Sequence, residues 1–325
     1  MPDIFKERES VLPYEYPDLI KFVTIFHDSF WEVEHFKGYE RDINEFKTAL
    51  TKSEKQVVTR CMLAISSIEN HVKTFWSDIH HRLPKSEIAM VGLTIGANEV
   101  VHQLCYQRIL EKSDLQGEFS KLSEVPCMEG RAKYLKKYKK GITSRSDKEF
   151  TKSLILFTLL VENVSLFSQF YILSSFYKYT NRLVNFSDIV GATMIDENRH
   201  GNFGSVLINI IQNENPDWFD YEMESKIRRN IRKAYKAEIG VLDWIFESGD
   251  LDFVGKSDAQ EFIKCRFNNS LEQIKYSPEF DLDETKLERS NFMDEKLKAS
   301  TDFDFFYNSN NSYSRATFDT EDIWK

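Results

Sequence analysis

A chain of 325 residues with 41% apolar and 29% charged side chains can bury a large core, which excludes a wholly disordered polymer. Its formal charge of −9 argues against a nucleic-acid binder, since phosphate recognition needs clustered positive charge. Only 12 glycines and 7 prolines disfavour a strand-and-turn design, and 26 phenylalanines can furnish a thick aromatic core.

Helical periodicity dominates in chain order. Residues Pro17–Phe36 read as one amphipathic helix carrying Phe22, Phe26, Phe30 and Trp31. Ser53, with Gln56 three residues on, has the spacing of an N-cap for a helix that runs to about Leu83, before Pro84. Further helices are expected near 87–112, 129–140, 147–181, 186–212, 217–248 and 257–276. Lys133–Lys140 is locally basic and reads as a solvated face. From Pro278 the composition turns acidic and polar, so the expected division is a helical domain over 1–277 and a flexible acidic tail over 278–325. That tail keeps Phe318, Ile323 and Trp324 among acidic residues, as a docking peptide would. Cys61, Cys105, Cys127 and Cys265 lack zinc-like spacing and fit free thiols in a reducing cytoplasm. The N-terminus has no apolar leader and no apolar run reaches the roughly 20 residues of a membrane span, so no membrane partner is expected.

Two of the long helices carry Glu-x-x-His, at Glu99–His102 and Glu197–His200. Three residues turn a helix by about 300°, so each pair projects from one face. Glu69 and Glu162 lie in apolar helical runs, where a carboxylate must be paired, protonated or metal-bound. Each alone reads more readily as an ion-paired or surface residue. Together, four carboxylates and two imidazoles form the donor set of ferritin-like two-metal proteins. Four negative charges balance two divalent ions, and an oxygen-rich set suits iron or manganese without choosing between them. Tyr106 follows His102 by one turn, about 6 Å along the axis, where a phenol is oxidisable by metals, although a core tyrosine would look the same. Asp196 adjoins Glu197 and suits a hydrogen bond to the outer nitrogen of a ligand histidine. Trp31 could extend that chain outward.

These motifs resemble the small subunit of class I ribonucleotide reductases over roughly residues 15–275 plus the tail. The resemblance rests on Ser29–Trp31 (SFW), Glu99–Tyr106 (ExxHxxxY) and Asp196–His200 (DExxH) in that order. It implies an all-α, ferritin-like bundle with additional helices, and a homodimer. It also implies two metal ions held by Glu69, Glu99, His102, Glu162, Glu197 and His200. The oxidising equivalent generated there would pass through His102, Asp196 and Trp31 to a tail tyrosine, Tyr313 or less favourably Tyr307. The large subunit, docked through the C-terminus, would receive it and reduce ribonucleoside diphosphates. Leu166 and Phe170 would shield Tyr106. The family commonly places aspartate where this chain has Glu69. Glutamate there resembles the manganese-using subgroups, so the centre is expected to be dimanganese, manganese–iron or diiron, with manganese favoured and Tyr106 either radical site or spectator. The rivals are a ferritin-like oxidase acting on a bound small molecule, a metal-storage protein, and a non-catalytic helical scaffold. No glycine-rich phosphate loop is visible, so nucleotide chemistry would belong to the partner.

Overall fold

The computed structural model describes residues 3–144 and 146–298, apart from the side chains of 70, 71, 73 and 137–140. Twelve α-helices are named in chain order. They are α1 Ile20–Asp28, α2 Tyr39–Thr48, α3 Lys52–Ser77, α4 Ser86–Lys112, α5 Gln116–Ser120 and α6 Pro126–Lys139, followed by α7 Asp147–Phe157, α8 Phe167–Thr180, α9 Val184–Glu214, α10 Tyr221–Ile245, α11 Lys256–Gln273 and α12 Glu284–Leu287. A π-helical segment, Thr158–Ser165, joins α7 to α8. No β-strand occurs among the described residues, only an isolated bridge between Leu251 and Val254. The architecture is the expected all-α bundle.

The core pairs α3 with α4 and α8 with α9, and the π segment packs on α9. Helix α1 packs on α4, α6 and α11 both pack on α10, and α11 also packs on the π segment. The α7–π–α8 stretch is long and apolar enough to cross a membrane, yet its apolar window is wholly buried within the protein. Helix α4 passes the same test of length and composition with 44% of its window buried, so part of its apolar surface faces outward.

Four boundaries differ from the sequence expectations, each for a local reason. The helix expected over 17–36 is a short 3-10 turn plus α1, ending at Asp28. There the Ser29 hydroxyl donates to the Ile25 carbonyl at 2.7 Å, a side-chain bond that competes with helix continuation. The N-cap of α3 is Thr51, not Ser53. Thr51 Oγ1 accepts from the Glu54 amide and Glu54 Oε2 accepts from the Thr51 amide, a complete capping box two residues earlier. That helix ends at Ser77, ahead of a 3-10 turn over Ile79–His81, rather than running to Leu83.

The fourth difference is where regular structure ends. Helical structure continues past 277 through α12, a 3-10 turn over Glu288–Ser290, and a helix over 291–298. Leu287, Ser290, Met293 and Leu297 recur at helical spacing and are buried. The Phe292 ring lies 6.0 Å from Tyr171 and 6.1 Å from Tyr179. Acidic composition hid this apolar stripe. Tyr307, Tyr313, Phe318, Ile323 and Trp324 lie outside the described residues.

Candidate metal centre

The six side chains singled out in the sequence converge. Glu69 comes from α3, Glu99 and His102 from α4, Glu162 from the π segment, and Glu197 and His200 from α9; all are at most 1% exposed. His102 Nδ1 lies 3.2 Å from Glu197 Oε1, 3.6 Å from Glu99 Oε2 and 3.9 Å from Glu69 Oε2. His200 Nδ1 lies 3.2 Å from Glu99 Oε1, 3.5 Å from Glu162 Oε2 and 3.7 Å from Glu197 Oε2. The donors therefore fall into two quartets, Glu69–Glu99–His102–Glu197 and Glu99–Glu162–Glu197–His200, each with ligand atoms within 4.8 Å of one another. Glu99 and Glu197 belong to both. Each reaches toward both imidazoles, the geometry of a bridging carboxylate.

These groups are not a conventional polar network. Both oxygens of Glu69 and of Glu99, Oε2 of Glu162, Oε1 of Glu197 and Nδ1 of both histidines are buried without a well-formed hydrogen bond. Buried polar atoms are normally satisfied, and so many orphans facing one point call for cations. Burial, reinforced by the neighbouring carboxylates, pushes Glu69 and Glu162 well above the usual carboxylate range. Burial also opposes charge on Glu197, but the two facing imidazoles outweigh it and hold Glu197 well below that range. Both imidazoles are raised well above ordinary histidine; burial acts against this, and the surrounding carboxylates overcome it. Two divalent ions would replace the protons that this cluster otherwise retains. The donor set fits them.

Beyond the six, His102 Nε2 lies 3.2 Å from Asp196 Oδ2, and the same oxygen accepts from Trp31 Nε1 at 2.7 Å. The Trp31 and His102 rings also stack, with centroids 5.5 Å apart and planes 24° from parallel. Trp31 follows the break after α1 and is buried. Arg199 Nη1 stands 3.5 Å from the other Asp196 oxygen. Tyr106 is buried and donates to Thr193 Oγ1 at 3.1 Å. Burial and the Glu69 charge raise its phenol well above the usual range, so it stays protonated. Leu166 and Phe170 are buried in the same bundle.

One partner escaped sequence reasoning. Trp76 donates from Nε1 to Glu162 Oε1 at 2.9 Å. It lies seven residues after Glu69, hence on nearly the same face of α3, and that spacing could have flagged it.

Comparison with known proteins bears on this site. Residues 8–286 match the family described as ribonucleotide reductase, small chain. The probable ribonucleoside-diphosphate reductase small subunit 048L of Invertebrate iridescent virus 3 is 20% identical over 336 aligned residues, spanning 99% of this chain and 88% of that protein. The R2 subunit of Clostridium botulinum ribonucleotide reductase superposes with a TM-score of 0.78 at 18% identity, covering 86% of this chain and 88% of that one. The dimanganese(II) NrdF protein of Streptococcus sanguinis gives 0.73 at 15% identity, covering 87% and 97%. At these identities the solved structures establish the fold, and the family match extends across the residues that build the buried cluster. The chain belongs to the ribonucleotide reductase small-chain family.

Proposed function

We propose that Glu69, Glu99, His102, Glu162, Glu197 and His200 hold two metal ions, manganese or iron, in the radical-generating small subunit of a ribonucleoside-diphosphate reductase. The observation that carries this is the pair of buried donor quartets sharing Glu99 and Glu197. When bound, such ions supply the redox chemistry that generates and stores one oxidising equivalent. The protein excludes water from them, since all six donors are buried. Glutamate at 69, where the family commonly has aspartate, favours a manganese-containing centre.

Asp196 has two tasks here. It fixes the ring of His102 through Nε2, and it accepts the Trp31 indole proton, joining the centre to Trp31 through one carboxylate oxygen. We assign His102, Asp196 and Trp31 to the path along which the oxidising equivalent leaves. Tyr313 would continue it to the large subunit, where ribonucleotides are reduced, with Phe318, Ile323 and Trp324 docking the tail. Tyr106, buried and protonated, would be either the site of a tyrosyl radical, with Leu166 and Phe170 shielding it, or a spectator of an oxidant kept on the metals. No observation favours a small-molecule oxidase or a metal store, neither of which has a use for the Trp31–Asp196 link.

The protein would act in the cytoplasm as a homodimer. Leu93, Val100 and Leu104 are 58%, 46% and 52% exposed on α4, seven and four residues apart. They form an outward apolar stripe suited to a second copy. Sedimentation at the mass of one chain, at micromolar concentration, would contradict the dimer.

Deleting Tyr313 through Lys325 tests the assignment. Turnover with the large subunit should fall to background while metal loading remains intact. Unchanged turnover would overturn it.

A further inference from the structure

Glu162 does not sit on an ordinary helical turn. It occupies the π segment Thr158–Ser165, where Asn163 Nδ2 donates to the Thr158 carbonyl at 2.8 Å and Ser165 Oγ to the Leu160 carbonyl at 2.6 Å, each reaching back five residues. Helix α9 makes room for the wide turn with glycines just after His200. A Cβ at Gly201 would lie 2.6 Å from Asn163 Nδ2, and one at Gly204 would lie 2.3 Å from Thr158 Oγ1. The extra residue matters for direction. Reverting to an α turn would rotate the segment relative to one of its flanks by about 100°, one residue's worth of helix. Glu162 could not then face His200 while α7 and α8 kept their packing.

A π turn is unfavourable by itself. Where wide turns revert to α turns, the ladder skips a carbonyl, and a buried carbonyl needs another donor. Two arginines, one from α6 and one from α11, donate to carbonyls of this stretch. Arg131 of α6, fully buried, donates from Nη2 to the Ser165 carbonyl at 2.5 Å and to Gln169 Oε1 at 3.1 Å, and from Nη1 to the Ala64 carbonyl of α3 at 3.4 Å. Its charge is balanced by the equally buried Glu238 of α10, which accepts from Nε at 3.0 Å. Arg266 of α11, 5% exposed, donates from Nε to the carbonyl of Asn163, the residue next to Glu162, at 3.0 Å. Its guanidinium lies 3.9 Å from the Phe167 ring centroid.

Two desolvated cations aimed at backbone carbonyls three and one residues after Glu162 are costly to bury for packing alone. We propose that Arg131 and Arg266 are positioning residues that lock the π register of Thr158–Ser165 and thereby aim Glu162 at the ion on the His200 side. The inference deepens the metal-centre assignment and rests on it. It predicts an asymmetric defect. Weakening the clamp releases the ion served by Glu162 and spares the ion served by Glu69.

The test is manganese(II) titration of the full-length protein, followed by electron paramagnetic resonance. Wild type should take two ions per chain with a spin-coupled spectrum, because Glu99 and Glu197 are shared. In Arg266→Met the second ion should bind at least roughly tenfold more weakly. At intermediate loading its spectrum should become that of isolated manganese, matching Glu162→Ala. Arg266→Lys keeps a cation and a donor, so it should lose less of the same ion. It also decides the matter if the methionine variant does not fold. Unchanged affinities in the folded variants, or equal weakening of both ions, would overturn the clamp. A wild type that takes no manganese or iron would instead overturn the metal centre.

Discussion

The two ends of the buried centre carry the same Glu-x-x-His motif and live in different surroundings. At the α4 end, His102 has a polar exit: Nε2 faces Asp196, which accepts the Trp31 indole, and the indole stacks on the imidazole. At the α9 end, His200 Nε2 has no hydrogen-bond partner, and the ring packs 5.4 Å from Phe26. Phe26 continues to Phe22, and Phe22 to Phe203, an aromatic wall rather than a relay. On the proposed reading one histidine is wired and the other insulated: the ligand motif would fix where a metal sits, and the neighbours would decide where charge can travel.

Removing one carboxylate at each end should disturb the centre most. Glu162→Ala should take metal content from two ions per chain to one or fewer, and Glu69→Ala should do the same from the other side. Elemental analysis reads both, and full occupancy in either variant would mean that the ligand set is misassigned.

A smaller effect should separate the wired end from the insulated one. Asp196→Asn keeps the size of the side chain but removes the negative charge that His102 and Trp31 share. Turnover should fall by roughly 10–100-fold, with both ions retained. Equal activity would place the exit elsewhere. Tyr106→Phe should be the mildest in structure, since it deletes a single hydrogen bond to Thr193, worth about 1 kcal/mol. Metal content and melting temperature should barely move. Turnover then locates the oxidant: its loss places the radical on the phenol, and its retention places the oxidant on the metals.

Much of the site was legible in the sequence because helical spacing translates directly into shared faces. Glu99 with His102 and Glu197 with His200 needed only the turn angle, and Glu69 and Glu162 stood out as charges in apolar runs. The π turn was not legible: Thr158–Ser165 contains no glycine or proline, and its width depends on donors from α6 and α11 that are distant in sequence. Arg131 was hidden beside a lysine-rich stretch. Glu238 could have been found. It continues the buried stripe of Ile227, Ile231 and Ala234 on α10, where an isolated carboxylate demands a partner. Trp31 was placed correctly in contact but on the wrong backbone, because the Ser29 bond that stops α1 is a local competition that periodicity does not register.

Crystals of the metal-loaded protein, with anomalous diffraction recorded at the manganese and iron edges, would locate the ions themselves. Two peaks should lie inside the bundle, one beside His102 with Glu69 and one beside His200 with Glu162, bridged by Glu99 and Glu197. A single peak, or peaks outside these six side chains, would contradict the two-metal assignment.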